Sequence, residues 1–475
     1  MSASIPTYDL AIIGGGTTGL TAAQAALALG AKTALIEGGR TGGECTWTGC
    51  IPSKALLAIA KQVAAARHAA RYGVHYTQPQ IDFAAAMEHI GQIIYDIYRE
   101  ESPDALRKQG LDVYEAYAQF RDAHTLALSD GRSLRAKRIL IGVGAKPIIP
   151  PVFHDVPYLT NETLFDLRRL PDHLIIIGGG AQGVEMAQAF RRLGARVTLV
   201  EQAAHVLPSV DAEAVRHIRD VLLAEGIFIA EGCTVERAWQ QDGHTHIRLS
   251  SGNETHGDAV LLAVGKRPHL DSLNLAAAGI ETPNGRLVLD ERLRTTQRHI
   301  YAAGDVTGGP QYTHYAGWQA FIAVRNALLP APLGGKGTRE TTPYSLFTDP
   351  EIAQAGMTEE AAQQQYGERV HITRLQMTRA DRAMTDLRGD GFMKLIHLPD
   401  GKLLGATLVG TNASEMINDW IAVLERGGNV SSAATAMRVY PSLGTANVIL
   451  ATEQVKSWLV SSMTGKLLRA LVKIF

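Results

Sequence analysis

Apolar residues in this chain gather into short runs closed by glycine, and one such pattern occurs twice. Tyr8–Ile13 is mostly apolar, predicts a buried strand, and passes directly into Gly14-Gly15-Gly16-Thr17-Thr18-Gly19. An Ala/Leu-rich stretch then predicts a helix, and Thr33–Ile36 a second strand ending in Glu37. Leu174–Ile177 repeats the opening: Gly178-Gly179-Gly180-Ala181-Gln182-Gly183 follows, then a predicted helix, then the strand Val197–Val200 ending in Glu201. From Gly19 to Glu37, and from Gly183 to Glu201, the interval is 18 residues. Elsewhere, Cys233 in EGCTVERAW reads as a small core residue on a strand. Around the tail Trp458–Phe475, Lys456, Lys466, Arg469 and Lys473 stand beside Leu467, Leu468, Leu471, Val472 and Phe475. That basic amphipathic pattern suits either peripheral contact with an anionic membrane or packing on a second subunit. No apolar stretch approaches the ~18–20 residues that span a bilayer.

The repeat has a chemical reason. Gly14 and Gly178 permit the tight turn after a strand, Gly16 and Gly180 let a pyrophosphate approach the backbone, and Gly19 and Gly183 let the helix pack close. The helix N-terminus then offers unpaired N–H groups to phosphate. Glu37 and Glu201 stand where a carboxylate accepts hydrogen bonds from a ribose diol. Two such units imply two dinucleotides, FAD and a nicotinamide cofactor. Glu201 repels a 2′-phosphate and no arginine directly follows it, so NADH is expected over NADPH.

With 475 residues the chain exceeds one core, so two to four domains are expected. A formal charge of −1 gives no electrostatic case for nucleic acid. The start MSASIPTYDL runs into a strand pattern without a leader-like segment, and the expected location is cytoplasmic. Three cysteines make no secreted disulfide framework. Two of them lie in Gly42-Gly43-Glu44-Cys45-Thr46-Trp47-Thr48-Gly49-Cys50-Ile51-Pro52-Ser53-Lys54. Pro52 suits a first helical turn, which puts Cys50 at or just before a helix N-terminus, where the dipole favours a thiolate. Lys54, one turn on, adds positive charge on the same face. No CxxC or histidine pair completes a zinc site, so no metal ligands are assigned and redox chemistry is expected at Cys45 and Cys50.

The segment GGECTWTGCIPSKALL resembles the redox-active signature of the pyridine nucleotide–disulfide oxidoreductases, in their mercuric reductase-like and dihydrolipoamide dehydrogenase-like branches. The resemblance runs along nearly the whole chain: Ile300–Asp305 is similar to the second FAD motif, Ala263–Pro268 to the turn closing the NAD domain, Phe347–Glu351 to the opening of the dimerisation domain, and Arg379–Lys394 to the mercuric reductase-like branch. It implies an α/β fold with two Rossmann-like dinucleotide-binding domains, for FAD and NAD, plus a C-terminal α+β dimerisation domain. The implied division is 1–155 and 271–340 for FAD, 156–270 for NAD(P) and 341–475 for the interface of a homodimer. It further implies that Cys45 exchanges with substrate, that Cys50 faces the flavin, that Lys54 pairs with Glu185, that Gly304 and Asp305 serve the FAD ribityl chain, and that Gly265 belongs to the cofactor turn.

One segment departs from the family pattern. Where its members carry the acid/base histidine and, five residues on, a glutamate, this chain has Tyr440 and Thr445. Histidine titrates near 6.5 and tyrosine near 10, so only about a thousandth of an ordinary tyrosine is ionised at neutral pH. Tyr440 donates a hydrogen bond but is a poor general base. Mercuric reductases have a tyrosine in this region, but they also carry a C-terminal cysteine pair, and LLRALVKIF has none. The expected function is electron transfer from NADH through FAD and a Cys45–Cys50 disulfide to a disulfide, persulfide or thiophilic metal acceptor. An NADH:quinone or dye oxidoreductase with secondary cysteines, and a flavin-bound redox sensor, are the alternatives.

Overall fold

The computed structural model describes residues 5–75, 77, 79–472 and 474. The chain folds as two compact units, one formed by 1–178, 193–196 and 234–340, the other by 179–192, 197–233 and 341–475.

The first unit is built on a sheet with strand order Asp112–Glu115, Thr33–Glu37, Thr7–Ile13, Ser133–Ile141, Thr125–Leu128, Ala118–Asp122; Ile300–Ala302 also pairs with Ser133–Ile141. The first four strands and Ile300–Ala302 run parallel, and the other two form an antiparallel meander. Successive side chains of a strand point to opposite faces, and here both faces are covered. Leu10, Ile12, Leu35 and Leu140 pack under the helices Thr17–Ala28 and Thr313–Leu328, while Ala11, Ile13, Ile36, Ile139 and Ile141 fill the opposite core. That double burial is why the first strand reads as an almost unbroken apolar run. The same unit contains the parallel pair His173–Ile177 and Ala259–Leu262, a three-stranded antiparallel meander from Val235 to Gly257, and the short antiparallel pair Ala145–Pro147 and Lys266–Pro268.

In the second unit, Thr198–Val200 pair in parallel with Phe228–Ala230, and the helix Ala212–Ala224 precedes the latter strand. Its other part is a five-stranded antiparallel sheet, in the order Tyr344–Leu346, Glu351–Gly356, Leu403–Gly410, Phe392–His397, His371–Gln376. The helices Asn418–Glu425 and Thr445–Ser461 close its core, where the fully buried Trp420 donates its indole N–H to Asn447 Oδ1 at 2.8 Å.

Cys233 is not on a strand and is not a core residue. It is half-buried in the connection after Phe228–Ala230, where Gly232 adopts φ +66° and turns the chain before Val235–Gln241 begins. The amphipathic tail forms the helix Met463–Leu471, with Met463, Leu467, Leu468 and Leu471 exposed; Lys473 and Phe475 lie outside the described residues. Among the described residues no helix is long and apolar enough to cross a membrane.

Two glycine-to-alanine changes separate packing from propensity. A Cβ on Gly19 would lie 1.8 Å from the Gly14 carbonyl oxygen, whereas one on Gly91, in the exposed face of the helix Phe83–Glu101, meets nothing within 4 Å. Gly19→Ala is expected to destabilise by about 1–3 kcal/mol through overpacking, and Gly91→Ala to stabilise by roughly 0.5–1 kcal/mol. Urea unfolding of the two variants checks both; equal midpoints would show that the strand–helix approach at Gly19 is not tight.

Candidate active site

The two glycine turns have the same local geometry. Gly14 has φ +107°, and a side chain there would stand 2.4 Å from the carbonyl oxygen of Gly142; Gly178 has φ +110°, and its side chain would stand 2.4 Å from that of Ala263. Only glycine suits a turn that is both left-handed and pressed against the neighbouring strand end. Glu37 accepts the Gly15 N–H at 2.6 Å on one oxygen and the Gly39 N–H at 2.6 Å on the other. In the second unit Glu201, 8% exposed, likewise accepts from Gly179 at 2.6 Å and Ala203 at 2.7 Å. Each acid therefore braces its own glycine turn before any nucleotide arrives. Gly16 caps the helix Thr17–Ala28, whose first turn contains no acidic residue to neutralise the N–H groups it presents. Gly180 precedes the helix Ala181–Leu193, which has Gly183 in its first turn, and Gly265 opens the Lys266–Pro268 strand with φ +103°.

The cysteine loop is seated on the first of these turns. Gly42 donates its N–H to the Gly15 carbonyl at 2.9 Å, and a side chain on Gly43 would come within 2.6 Å of the Gly16 Cα. A one-turn helix Gly43–Trp47 carries Cys45, and Cys50 is the first residue of the helix Cys50–Arg67. Both cysteines are half-buried thiols. Their acidities are split. A hydrogen bond from Cys45 lowers Cys50 to about 6 against the opposing effect of burial, and the Thr313 hydroxyl, 3.1 Å from its sulfur, and the charge of Lys54 act in the same direction. Cys45 is pushed well above the ordinary thiol value, first by that same bond to Cys50 and then by burial. At neutral pH these shifts favour charge on the Cys50 sulfur and the proton on Cys45.

A second cluster lies beside the loop. Lys266 Nζ donates to both oxygens of Glu44, at 2.8 and 3.0 Å, and to Asp305 Oδ2 at 3.3 Å. Asp305 opens a short turn after Gly304, whose N–H donates to Gln319 at 2.9 Å. The FAD implied by the sequence fits this group: a glycine turn too close to its neighbours for a side chain, a helix N-terminus that no side chain caps, the Glu37 carboxylate and the Asp305 carboxylate all belong to one unit. Gly14, Gly16, Gly19, Glu37, Gly304 and Asp305 would hold it.

Glu185 is buried, and its Oε1 accepts the Phe347 N–H at 2.9 Å. Tyr440 is 69% exposed, and its hydroxyl donates to Asp381 Oδ2 at 2.7 Å. That bond to a carboxylate raises the phenol above its ordinary value, away from any role as a base. Thr445 begins the helix Thr445–Ser461 and turns its hydroxyl to the Ser442 carbonyl. Sequence reasoning passed over Thr313, Asp381 and the Glu44–Lys266 pair. Of these, only Glu44, an acid beside a cysteine, carried a local signal.

The family model described as "Pyridine nucleotide-disulphide oxidoreductase" matches residues 8–320, and that of the family's dimerisation domain matches residues 342–449. The chain is 33% identical over 441 residues to a mercuric reductase from Bacillus cereus, covering 91% of this chain and 69% of that protein. It is 29% identical over 442 residues to a dihydrolipoyl dehydrogenase from Geobacillus stearothermophilus, covering 91% and 93%. The Cu(II) complex of the HOCl-induced flavoprotein disulfide reductase RclA from Escherichia coli superposes with a TM-score of 0.85 at 30% identity, covering 94% of this chain and 100% of that one.

The split acidities have a measurable consequence. Thiolate is present above a thiol's pKa and lost below it, so alkylation of Cys50 by neutral iodoacetamide in the reduced protein should rise through a midpoint near pH 6. Cys45 should react only above the ordinary thiol range of about 8.5. Peptide mass mapping assigns each rate to its cysteine; a Cys50 midpoint at or above that of an ordinary thiol would refute the assignment.

Proposed function

The chain belongs to the pyridine nucleotide-disulphide oxidoreductase family, FAD-dependent enzymes that use NAD(P)H, and we propose that it is an NADH-dependent reductase delivering two electrons through Cys50 and Cys45 to a disulfide, persulfide or thiophilic metal ion. The observation that carries this reading is the cysteine pair with split acidities, seated through Gly43 on the first glycine turn. Bound FAD supplies the two-electron carrier between the nicotinamide and the sulfurs. Cys50, Lys54 and Thr313 hold the thiolate on the flavin side, and Cys45 faces the acceptor. In an exchange with a disulfide, Cys45 loses its proton and attacks one sulfur, releasing the first thiolate. Cys50 then attacks Cys45, closing the Cys45–Cys50 disulfide and releasing the second. The buried Glu201 supports NADH as the donor, because a 2′-phosphate would bring negative charge to it. In a homodimer, Tyr440 would serve the partner's site.

Anaerobic titration of the holoenzyme with NADH tests this. Two-electron reduction should produce a long-wavelength thiolate–flavin absorption band, lost in Cys50→Ser and kept in Cys45→Ser, while Cys45→Ser abolishes turnover of every thiol-dependent acceptor. In the same assay kcat/KM should favour NADH over NADPH, with the gap narrowed in Glu201→Ala. Undiminished acceptor turnover in both cysteine variants would sink the reading in favour of direct quinone or dye reduction.

A slow step follows from Tyr440. Cys45 must give up a proton from a raised pKa, and the residue at the base position is itself raised by Asp381. General acid–base catalysis is worth ~10²–10⁴-fold. Stopped-flow should therefore show rapid flavin reduction but lipoamide or glutathione disulfide turnover slower than that step by up to about that factor. Tyr440→His with Thr445→Glu should recover part of it, and reduction of a thiophilic metal ion, which displaces the thiol proton itself, should not improve. Wild-type disulfide turnover unchanged in the double variant would remove Tyr440 as the handicap.

A further inference from the structure

The cluster beside the cysteine loop has a shape that phosphate or ribose binding does not require. Lys266 is a single ammonium between two carboxylates, its side chain 18% exposed, with Glu44 at 35% and Asp305 at 18%. The three side chains come from three separate stretches of the first unit: the redox loop, the short strand Lys266–Pro268 and the turn after Ile300–Ala302. Removing one member of a partly buried ion cluster leaves an uncompensated charge, so such a group holds its segments together more strongly than its net stability suggests. Glu44 is also the residue before Cys45, so whatever fixes its carboxylate fixes the start of the loop.

We propose that Lys266 and Glu44 are positioning residues of the redox site: Lys266, bonded to both Glu44 oxygens and to Asp305, clamps the start of the cysteine loop to the Asp305 turn. This rests on the reading of Cys45 and Cys50 as the redox pair and Asp305 as a flavin-binding residue. The charge arithmetic is local. Facing Glu44 are Lys266, Asp305 and Glu162; facing Cys50 are Cys45, the Thr313 hydroxyl, Lys54 and Glu44. Burial pushes the Glu44 carboxyl up despite the attraction of Lys266, while Lys266 is pushed up because Glu44 and Asp305 outweigh its own burial. For Cys50, Lys54 favours the thiolate and Glu44 disfavours it. The Glu44 charge thus acts on the Cys50 sulfur with the sign opposite to that of Lys54.

The isosteric Glu44→Gln removes this opposing charge while keeping a group that accepts from Lys266. In the reduced holoenzyme, the midpoint for iodoacetamide alkylation of Cys50 should fall by about half a unit to one unit. Lys266→Met should weaken FAD retention about tenfold or more during dialysis against mild urea, and Lys266→Arg should restore most of it. A Glu44→Gln midpoint equal to wild type, or FAD held by Lys266→Met as tightly as by wild type, overturns the proposal. A purely structural role would lower the folding stability of Glu44→Gln without moving the Cys50 midpoint, which also counts against it. Alkylation is read by peptide mass mapping and needs no turnover. If the proposed reductase activity fails, through loss of the absorption band or of acceptor turnover, that failure appears in the titration and not here.

Discussion

A side chain on Gly43 would stand 2.6 Å from the Cα of Gly16, and that close approach is the constraint on which the chemistry of the first unit depends. It fixes the cysteine loop on the same turn that ends the central strand Thr7–Ile13. The turn is in turn braced by Glu37 through Gly15 and Gly39. The sheet core buries both faces of that strand, so its end cannot drift, and the loop inherits its rigidity. A precise site on a regular scaffold is held better than one carried by a free loop. The Gly43 contact converts a loop into part of the scaffold.

Much of this was legible in the chain because it is written in local patterns. The double-buried strand, the glycine spacing and the acid 18 residues on are all short-range signals, and each appears in the structure as a strand, a left-handed turn and a carboxylate bonded to that turn. Pro52 likewise located the helix start that makes Cys50 its first residue. What was not legible is long-range. Thr313 is 263 residues from Cys50, and Lys266 is 222 from Glu44. No periodicity connects such pairs; only the folded path brings them together. Cys233 failed for a different reason. The strand expected there begins only at Val235: Gly232 turns the chain first, and the Cys233 N–H goes to the Glu201 carbonyl rather than into a ladder.

The split between the two sulfurs follows from how little room the loop allows. Two thiols close enough to share a hydrogen bond cannot both ionise easily, so one proton serves both. Helix start, Thr313 and Lys54 all favour charge on Cys50, which leaves the proton on Cys45. This is the productive arrangement for a charge held toward an electron carrier. On the proposed roles it is an unproductive one for attack on an outside disulfide, because the sulfur assigned to attack is the one that favours the proton. A base must then intervene, and the exposed Tyr440, bound to Asp381, is shifted the wrong way for that task.

These two features bear differently on the acceptor classes. A disulfide receives a thiolate and returns one, so the proton on Cys45 is a barrier that the protein itself must remove. A soft metal ion competes with the proton for sulfur, and thiolate rather than thiol is its ligand. Binding of such an ion would therefore release the Cys45 proton with the metal's own affinity as the driving force, while Cys50, lowered to about 6, favours the thiolate at neutral pH. On the proposed reading, the same pair of sulfurs is slow toward a disulfide and prepared for a thiophilic cation, and the acidities of the two cysteines favour acceptors that deprotonate Cys45 themselves.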